Sequence, residues 1–386
     1  MEFIGIFSFS TEKPMEDEEE EKIAGFDMQD YSSLPKIHSI FTIPDINHLY
    51  NPLFYDIDIE IFKKIKETKE SEKITQLLAP FKNLFENSRK KLVEILTYIF
   101  GDSIAAEYIV LNLISQIHSR KSTIILGNIP INISNIPLID KIKKAANFSS
   151  LSEAFFSFIS QILPFSLYIP MSLQFLEKEK LVPKKNHEKN ILEGGILQVT
   201  SHTNLIIDET KMSAGKLQDN GIKNIKSLND LIETQSLFYD FQFHNVEFHT
   251  NSPVIILSEG KSIFKSAFEV VLDESQFENI DLEVLSTITE EDIKSLRQMI
   301  CILSNQYLDY KIEKEITTKI ENDFVEIRKE NKQITIDDFS TWLNLVRFFS
   351  ISNGRLTMAE EDYFFIKKLE QQRVARILKK KQVQQK

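Results

Sequence analysis

The sequence predicts an α/β fold: a mostly parallel sheet with helices on both faces, in three layers, followed by an all-helical region. Two observations carry this reading. Between about residue 104 and residue 273, apolar runs of strand length alternate with helical patterns, which is the alternation that builds parallel sheets. From Leu285 onward nothing strand-like remains, and helical patterns cover 289–308, 312–329, 335–350 and 357–381.

Taken in order, residues 1–60 hold two strand-like runs, Glu2 to Phe9 and Lys36 to Ile43, separated by a loop that is uniformly acidic from Glu16 to Glu21. Two strands alone bury too little to make a domain. From Ile61 to Leu113 the period is helical. Leu77, Leu78, Phe81, Leu84 and Phe85 share one face, and Leu92, Ile95, Leu96 and Ile99 share the next. Gly101 ends that helix as a left-handed cap residue does, and a second helix is expected over Ile104 to Ile117. The chain therefore divides into a β region at 1–60, an α/β core at 61–285, and a helical region with a basic tail at 286–386. No internal repeat is visible.

At 386 residues and 42% hydrophobic, the chain is long enough for a sizeable core and two or three compact units. Cys301 is the sole cysteine, which excludes an intrachain disulfide and a cysteine zinc site and suits a reducing compartment. His244 and His249 have no metal-ligand spacing with a carboxylate, so no metal is expected. A net charge of −11 argues against a broad nucleic-acid surface and against direct nucleic-acid binding. The local exception is Lys367 to Lys386, with eight basic residues against one acidic residue, read as an exposed helix end. Phe3 to Phe9 lacks a basic flank, as a signal peptide would not, and no run of about 18 apolar residues is present to span a bilayer.

The most informative stretch is Glu193 to Met212, EGGILQVTSHTNLIIDETKM, where the apolar strand Leu205 to Ile207 runs into Asp208 and Glu209. In P-loop ATPases this Walker B pattern places the aspartate on Mg²⁺ and the glutamate on the attacking water, at the carboxyl end of a strand. Alone the pattern is weak, because apolar strands commonly end in acidic turn residues. Its surroundings strengthen it. Glu193 and Asp208 keep the spacing of the MCM helicase AAA+ domain. Three further segments resemble that domain in the same order: IFGDSIAAEYIVLNLIS at 99–115, LIETQSLFYDFQFHNVEFHTNSPVIILSEG at 231–260, and DFVEIRKENKQITIDDFSTWLNLVRFFS at 323–350. The resemblance implies a degenerate AAA+, P-loop NTPase-like core with a helical lid.

The residues that hydrolysis needs are replaced. Where a phosphate loop should follow strand Ile129 to Ser134, the chain reads Asn135-Ile136-Pro137-Leu138-Ile139-Asp140-Lys141-Ile142, keeping a lysine without its glycines. By the resemblance, the sensor asparagine aligns with Glu259, the arginine finger with Ala267 and the lid arginine with Asp337. Phe241 stands at the tip of the DNA-facing hairpin in place of a lysine, with Phe238, Tyr239 and Phe243 beside it. Asp208 and Glu209 then read as remnants in capping or turn roles.

Gly101-Asp102-Ser103, Ala105-Ala106-Glu107-Tyr108, His118-Ser119-Arg120, Leu205 to Thr210, Ser258-Glu259-Gly260 and Asp323 to Glu326 resemble the family of MCM-binding proteins across most of 85–375. That family carries a further N-terminal region, of which MEFIGIFSF looks like the final strand. What the resemblance implies is a non-catalytic protein without cofactor, nuclear with the cytoplasm as a second location, that binds MCM helicase subunits, associates with chromatin indirectly, and acts in assembling, stabilising or unloading them during DNA replication. The alternatives are an active AAA+ ATPase with a divergent phosphate loop, for which Asp208, Glu209 and Lys141 speak, and a DNA-binding clamp or loader, which the acidic balance opposes.

Overall fold

The computed structural model describes residues 2–9, 35–43, 64, 68, 71–121, 124–144, 146–163, 165–264, 268–304, 310–330 and 334–384. The acidic run 16–21 lies outside them. Contacts divide the chain into two units, Met1–Asn51 and Pro52–Lys386. In the first, β1 (Glu2–Phe9) and β2 (Pro35–Ile43) pair antiparallel from Glu2 opposite Ile43 to Phe9 opposite Pro35, with a register shift between Ile4 and Gly5.

The second unit begins with α1 (Ser71–Leu78) and α2 (Lys82–Phe100). Gly101 stops α2 in the left-handed conformation at φ 69°, and a Cβ there would lie 2.5 Å from the Gln276 carbonyl oxygen, so the position admits glycine on both counts. Asp102 then starts α3 (Ser103–Ile114) by accepting from the Ile104 amide at 2.9 Å. This helix is buried nearly all round, with Ala105, Ala106 and the run Tyr108 to Ile114 inside. Small and aliphatic side chains let it lie directly on the sheet.

That sheet has five parallel strands in the order β13-β5-β12-β9-β6, where β5 is Ile131–Ser134, β6 is Ser166–Pro170, β9 is Asn204–Asp208, β12 is Val254–Ser258 and β13 is Phe268–Val271. Strands β5, β9 and β12 are buried at every position, as apolar runs covered on both faces should be. One face packs α3 and α4 (Leu151–Ile162). On the other, Leu205, Ile207, Val254 and Ile256 meet Leu228, Leu231 and Ile232 of α6 (Asp219–Thr234) and Leu176 of α5 (Leu173–Lys178). The three layers and the parallel sheet are those the alternating pattern predicts.

A short hairpin, β3 (Ser119–Lys121) with β4 (Ile124–Leu126), follows α3. A second sheet extends the hairpin that the resemblance implies by two strands that were not anticipated. It has four strands in the order β11-β10-β7-β8, from β7 (Lys184–Asn186), β8 (Ile191–Glu193), β10 (Ser236–Asp240) and β11 (Asn245–His249). Arg120 ties it to the core by donating to the carbonyls of Thr234 at 3.0 Å, Gln235 at 3.2 Å and Thr250. Helices α7 (Glu290–Ser304), α8 (Lys314–Glu330), α9 (Ile336–Ser352) and α10 (Glu360–Gln384) complete the chain within a turn or so of the expected bounds.

Between β8 and β9, His202 takes the left-handed conformation at φ 69° beside Asn251. Burial holds its imidazole down to about 4 from the ordinary 6.5. The folded chain therefore keeps His202 neutral while the unfolded chain protonates, so stability is full above pH 6.5 and falls as pH drops toward about 4. That loss should be about 3 kcal/mol from this group. His202→Asn keeps the left-handed preference without titrating. Urea unfolding near neutrality and near the acid limit should show a smaller acid loss for H202N than for the parent; an equal loss would mean the imidazole is solvated.

Candidate functional site

Consecutive strands β6, β9 and β12 step toward the middle of the sheet, whereas β5 connects outward to β6 and β12 crosses β5 to reach β13. The direction reverses at β5 and β12. In an open parallel sheet, ligands bind in the crevice outside the carboxyl ends at such a reversal. Here that crevice lies beside a cavity of about 390 Å³ lined by Asn135 after β5, Glu259 and Gly260 after β12, Leu272 and Asp273 after β13, and Arg376, Lys379 and Lys380 of α10.

Asp208 and Glu209 sit at the neighbouring carboxyl end of β9. Asp208 is fully buried, and its Oδ1 accepts from the Thr210 amide at 3.0 Å and the Thr210 hydroxyl at 2.6 Å. Its Oδ2 accepts from the Tyr168 hydroxyl on β6, and burial together with this carboxylate pushes the Tyr168 phenol up from its usual value. Oδ1 thus closes the turn at Glu209–Lys211, and Oδ2 ties the end of β9 to β6. Glu209 Oε1 accepts from the Ser262 hydroxyl at 2.8 Å and the Ile263 amide at 3.2 Å. Burial raises its carboxyl, these two donors lower it, and the net direction is upward.

The chain after β5 makes no cradle. Asn135 is left-handed at φ 67°, and its side-chain amide donates to the Leu272 carbonyl at 3.0 Å. The Ile136 amide donates to the Ser258 carbonyl at 3.1 Å, Pro137 has no amide proton, and the Lys141 and Ile142 amides close the single turn Ile139–Lys141. Lys141 is exposed. A phosphate cradle needs successive unpaired amides leading into a helix N-terminus. Here the stretch has no glycine, the Ile136 amide is spent on β12, and only a three-residue turn follows in place of an α-helix, so these residues do not fit a nucleotide's phosphates with magnesium. Glu259 is exposed at the rim of the cavity, Ala267 lies outside the described residues, and Asp337 is the second residue of α9. Asp208 and Glu209 come together, Glu259 lies at the adjoining strand end, and Asp337 is on the helical region.

Sequence reasoning missed the basic side chains that do enter this region. The Lys380 ammonium donates to Glu269 Oε1 at 2.9 Å, the Ser134 hydroxyl oxygen at 3.0 Å and the Gly260 carbonyl at 3.3 Å. Burial raises the Glu269 carboxyl, while Lys380 and the Ser134 hydroxyl lower it further, leaving it below the usual range. Arg376 donates to Asp102 Oδ2 and to the Val271 carbonyl at 3.3 Å. One turn earlier, Arg373 grips Glu370 through both oxygens at 3.0 and 2.8 Å and donates to the Glu269 carbonyl at 3.1 Å, while the Tyr108 hydroxyl on α3 donates to the same Glu370. The expectation of an exposed helix end is therefore corrected for Arg373, Arg376 and Lys380, while Lys368, Lys379 and Lys381 are exposed. Lys367 is also paired, with Asp323 at 2.7 Å, and apart from Glu370 the partners are remote in sequence, where an i,i+4 count cannot find them.

The hairpin β10–β11 places Phe241 in its loop, stacked on His244 at 5.5 Å, and leaves Phe243 86% exposed at the tip. Phe238, Tyr239 and Phe241 are half-buried, and Tyr239 packs against the core cluster on this side of the parallel sheet. Among the described residues, no group of three His, Cys, Asp or Glu side chains could hold a metal ion, and no helix is long and apolar enough to cross a membrane.

Residues 1–377 match a family described as the mini-chromosome maintenance replisome factor. The chain belongs to this family. Similar relatives include the mini-chromosome maintenance complex-binding proteins of Gallus gallus, 33% identical over 356 residues, and of Homo sapiens, 32% identical over 356 residues; both alignments cover 91% of this chain and 52% of the relative. The Drosophila melanogaster protein of that name is 32% identical over 282 residues, covering 72% of this chain and 45% of the relative. The chain thus spans about half the length of the curated relatives it matches.

Proposed function

We propose that the chain is a non-catalytic binder of MCM helicase subunits that acts in DNA replication, in the nucleus, by assembling, stabilising or unloading those subunits. The observation that carries this reading is the family match over 1–377, together with relatives named for binding the mini-chromosome maintenance complex. A degenerate AAA+ origin is supported by the five-stranded parallel sheet, by the acidic pair ending β9 and by the helical region that follows. A pseudo-ATPase character is supported by the commitment of both Asp208 oxygens and by the absence of a phosphate cradle among Asn135 to Ile142.

A chain that keeps the core and lid of a ring subunit keeps the shape that docks against one. Its contact with MCM subunits should use the surface by which AAA+ neighbours associate, and ATP should not strengthen it, since no nucleotide site is completed across the junction. Size-exclusion of the purified chain with single MCM subunits should give co-elution with at least one, equally with and without ATP. Co-elution with none would sink the proposal. Steady-state ATP turnover should stay at background for the parent and for Glu209→Gln alike; turnover that this substitution abolishes would establish the active-ATPase alternative instead.

A further inference from the structure

The crevice at the carboxyl ends of β5, β12 and β13 is not closed by residues of its own loops. It is closed by two cations one helical turn apart on α10. Arg376 finds Asp102 and the Val271 carbonyl, and Lys380 finds Glu269, Ser134 and the Gly260 carbonyl. The acceptors come from one helix start and three strands, all held by the fold independently of α10. Asp102 caps α3, Ser134 ends β5, Gly260 follows β12, and Glu269 and Val271 lie on β13. The acceptors are preformed, and what they recognise is a guanidinium and an ammonium at i and i+4.

Two further observations separate the end of α10 from the rest of that helix. Up to Arg373 the helix is anchored by buried groups: Ile366, Leu369 and Glu370 are at most 5% exposed, and Tyr108 reaches Glu370 from α3. Beyond it the hydrogen bonds to the core come from Arg376 and Lys380, Ile377 is half-buried, Val374 and Leu378 are exposed, and the cavity of about 390 Å³ remains beside the helix. The cations of that cavity, Arg376, Lys379 and Lys380, all come from α10 itself, so without the end of α10 its charged lining is Glu259, Asp273 and Glu274, all negative. Charge complementarity selects the occupant: a basic helix.

We propose that this crevice is a receptor site for a basic helix, that the segment of α10 from Arg376 onward is its tethered occupant, and that a partner helix carrying an arginine and a lysine one turn apart displaces it. The site is polar and takes two cationic side chains side by side, with Asp102 and Glu269 as their counter-ions. Because Glu370 and Arg373 stay anchored, release unwinds or swings only the last turns and leaves the core whole. The proposal does not depend on which protein the chain binds.

The test uses the full chain. In Arg376→Glu with Lys380→Glu, the tethered segment is repelled by Asp102 and Glu269 and vacates the site. A fluorescein-labelled peptide of residues 370–384, stapled as a helix, should bind this double variant at least about tenfold more tightly than it binds the parent, whose site is filled. Equal affinity for the two chains, or none for the double variant, overturns the proposal. A second measurement covers the case in which the charge-reversed chain fails to fold. In Arg376→Ala with Lys380→Ala, amide hydrogens of 376–380 should exchange at least about tenfold faster while β5 and β12 keep their protection. Unchanged exchange at 376–380 overturns the proposal, because these side chains then do not hold the segment. Loss of protection in β5 and β12 also overturns it, because the segment is then part of the core.

Discussion

Arg373→Ala should lower the unfolding free energy by about 3–5 kcal/mol, the cost of leaving a buried charge without its partner. Glu370 is 3% exposed and its carboxylate is held by the Arg373 guanidinium at 3.0 and 2.8 Å. The alanine variant keeps that carboxylate inside, facing only the Tyr108 hydroxyl, and loses the donor to the Glu269 carbonyl as well. The same reasoning sets the control. Arg373→Met with Glu370→Leu removes both charges and fills much of their volume, so it should cost less than the single alanine change. Urea unfolding of the three chains at equal m-value decides it. A loss below about 1 kcal/mol for the single variant would place the pair in solvent, as for an ordinary surface salt bridge.

Asp208→Ala should cost about 2–4 kcal/mol, since it orphans the Thr210 amide and hydroxyl and the Tyr168 hydroxyl at a fully buried strand end. Asp208→Asn should cost under about 1 kcal/mol, because the amide oxygen can still accept from Thr210 while its NH₂ donates to the phenol oxygen of Tyr168. This ordering distinguishes a turn-closing carboxylate from a metal-binding one. A metal ligand loses its charge, and with it its role, in both variants. Thermal unfolding followed by circular dichroism compares the two. Equal losses for alanine and asparagine would show that the negative charge itself matters at this position.

The sequence made the layered core legible because its signal is local. Leu205 to Ile207 is an apolar run of strand length, Gly101 is a glycine where the backbone turns left-handed, and the helices from Glu290 onward repeat with a helical period. The two strands added to the second sheet were hidden for the opposite reason. β7 reads Lys-Lys-Asn, a three-residue strand without alternation, and its place is set by pairing with Asp240 and Glu193. The docking of α10 did leave a trace. Ile366, Leu369, Arg373, Arg376 and Lys380 recur at spacings of three and four, a stripe that begins apolar and ends basic on one helical face. Counting charges along the tail obscured it, because the tail also carries outward lysines. Its acceptors could not be read at all, since Asp102 and Ser134 lie 274 and 246 positions away.

Those separations bear on synthesis. Strand β5 meets the Lys380 ammonium only after the 246 positions that separate it from Ser134 have been synthesised. Until then the carboxyl ends of β5, β12 and β13 present Asp102, Glu269 and their neighbouring carbonyls to whatever cations are at hand. Long-range closure of this kind is slow and leaves the open species exposed to association with other chains. A nascent chain stalled before Arg376 should therefore be the form most dependent on chaperones, with its core layered and its sheet end uncovered.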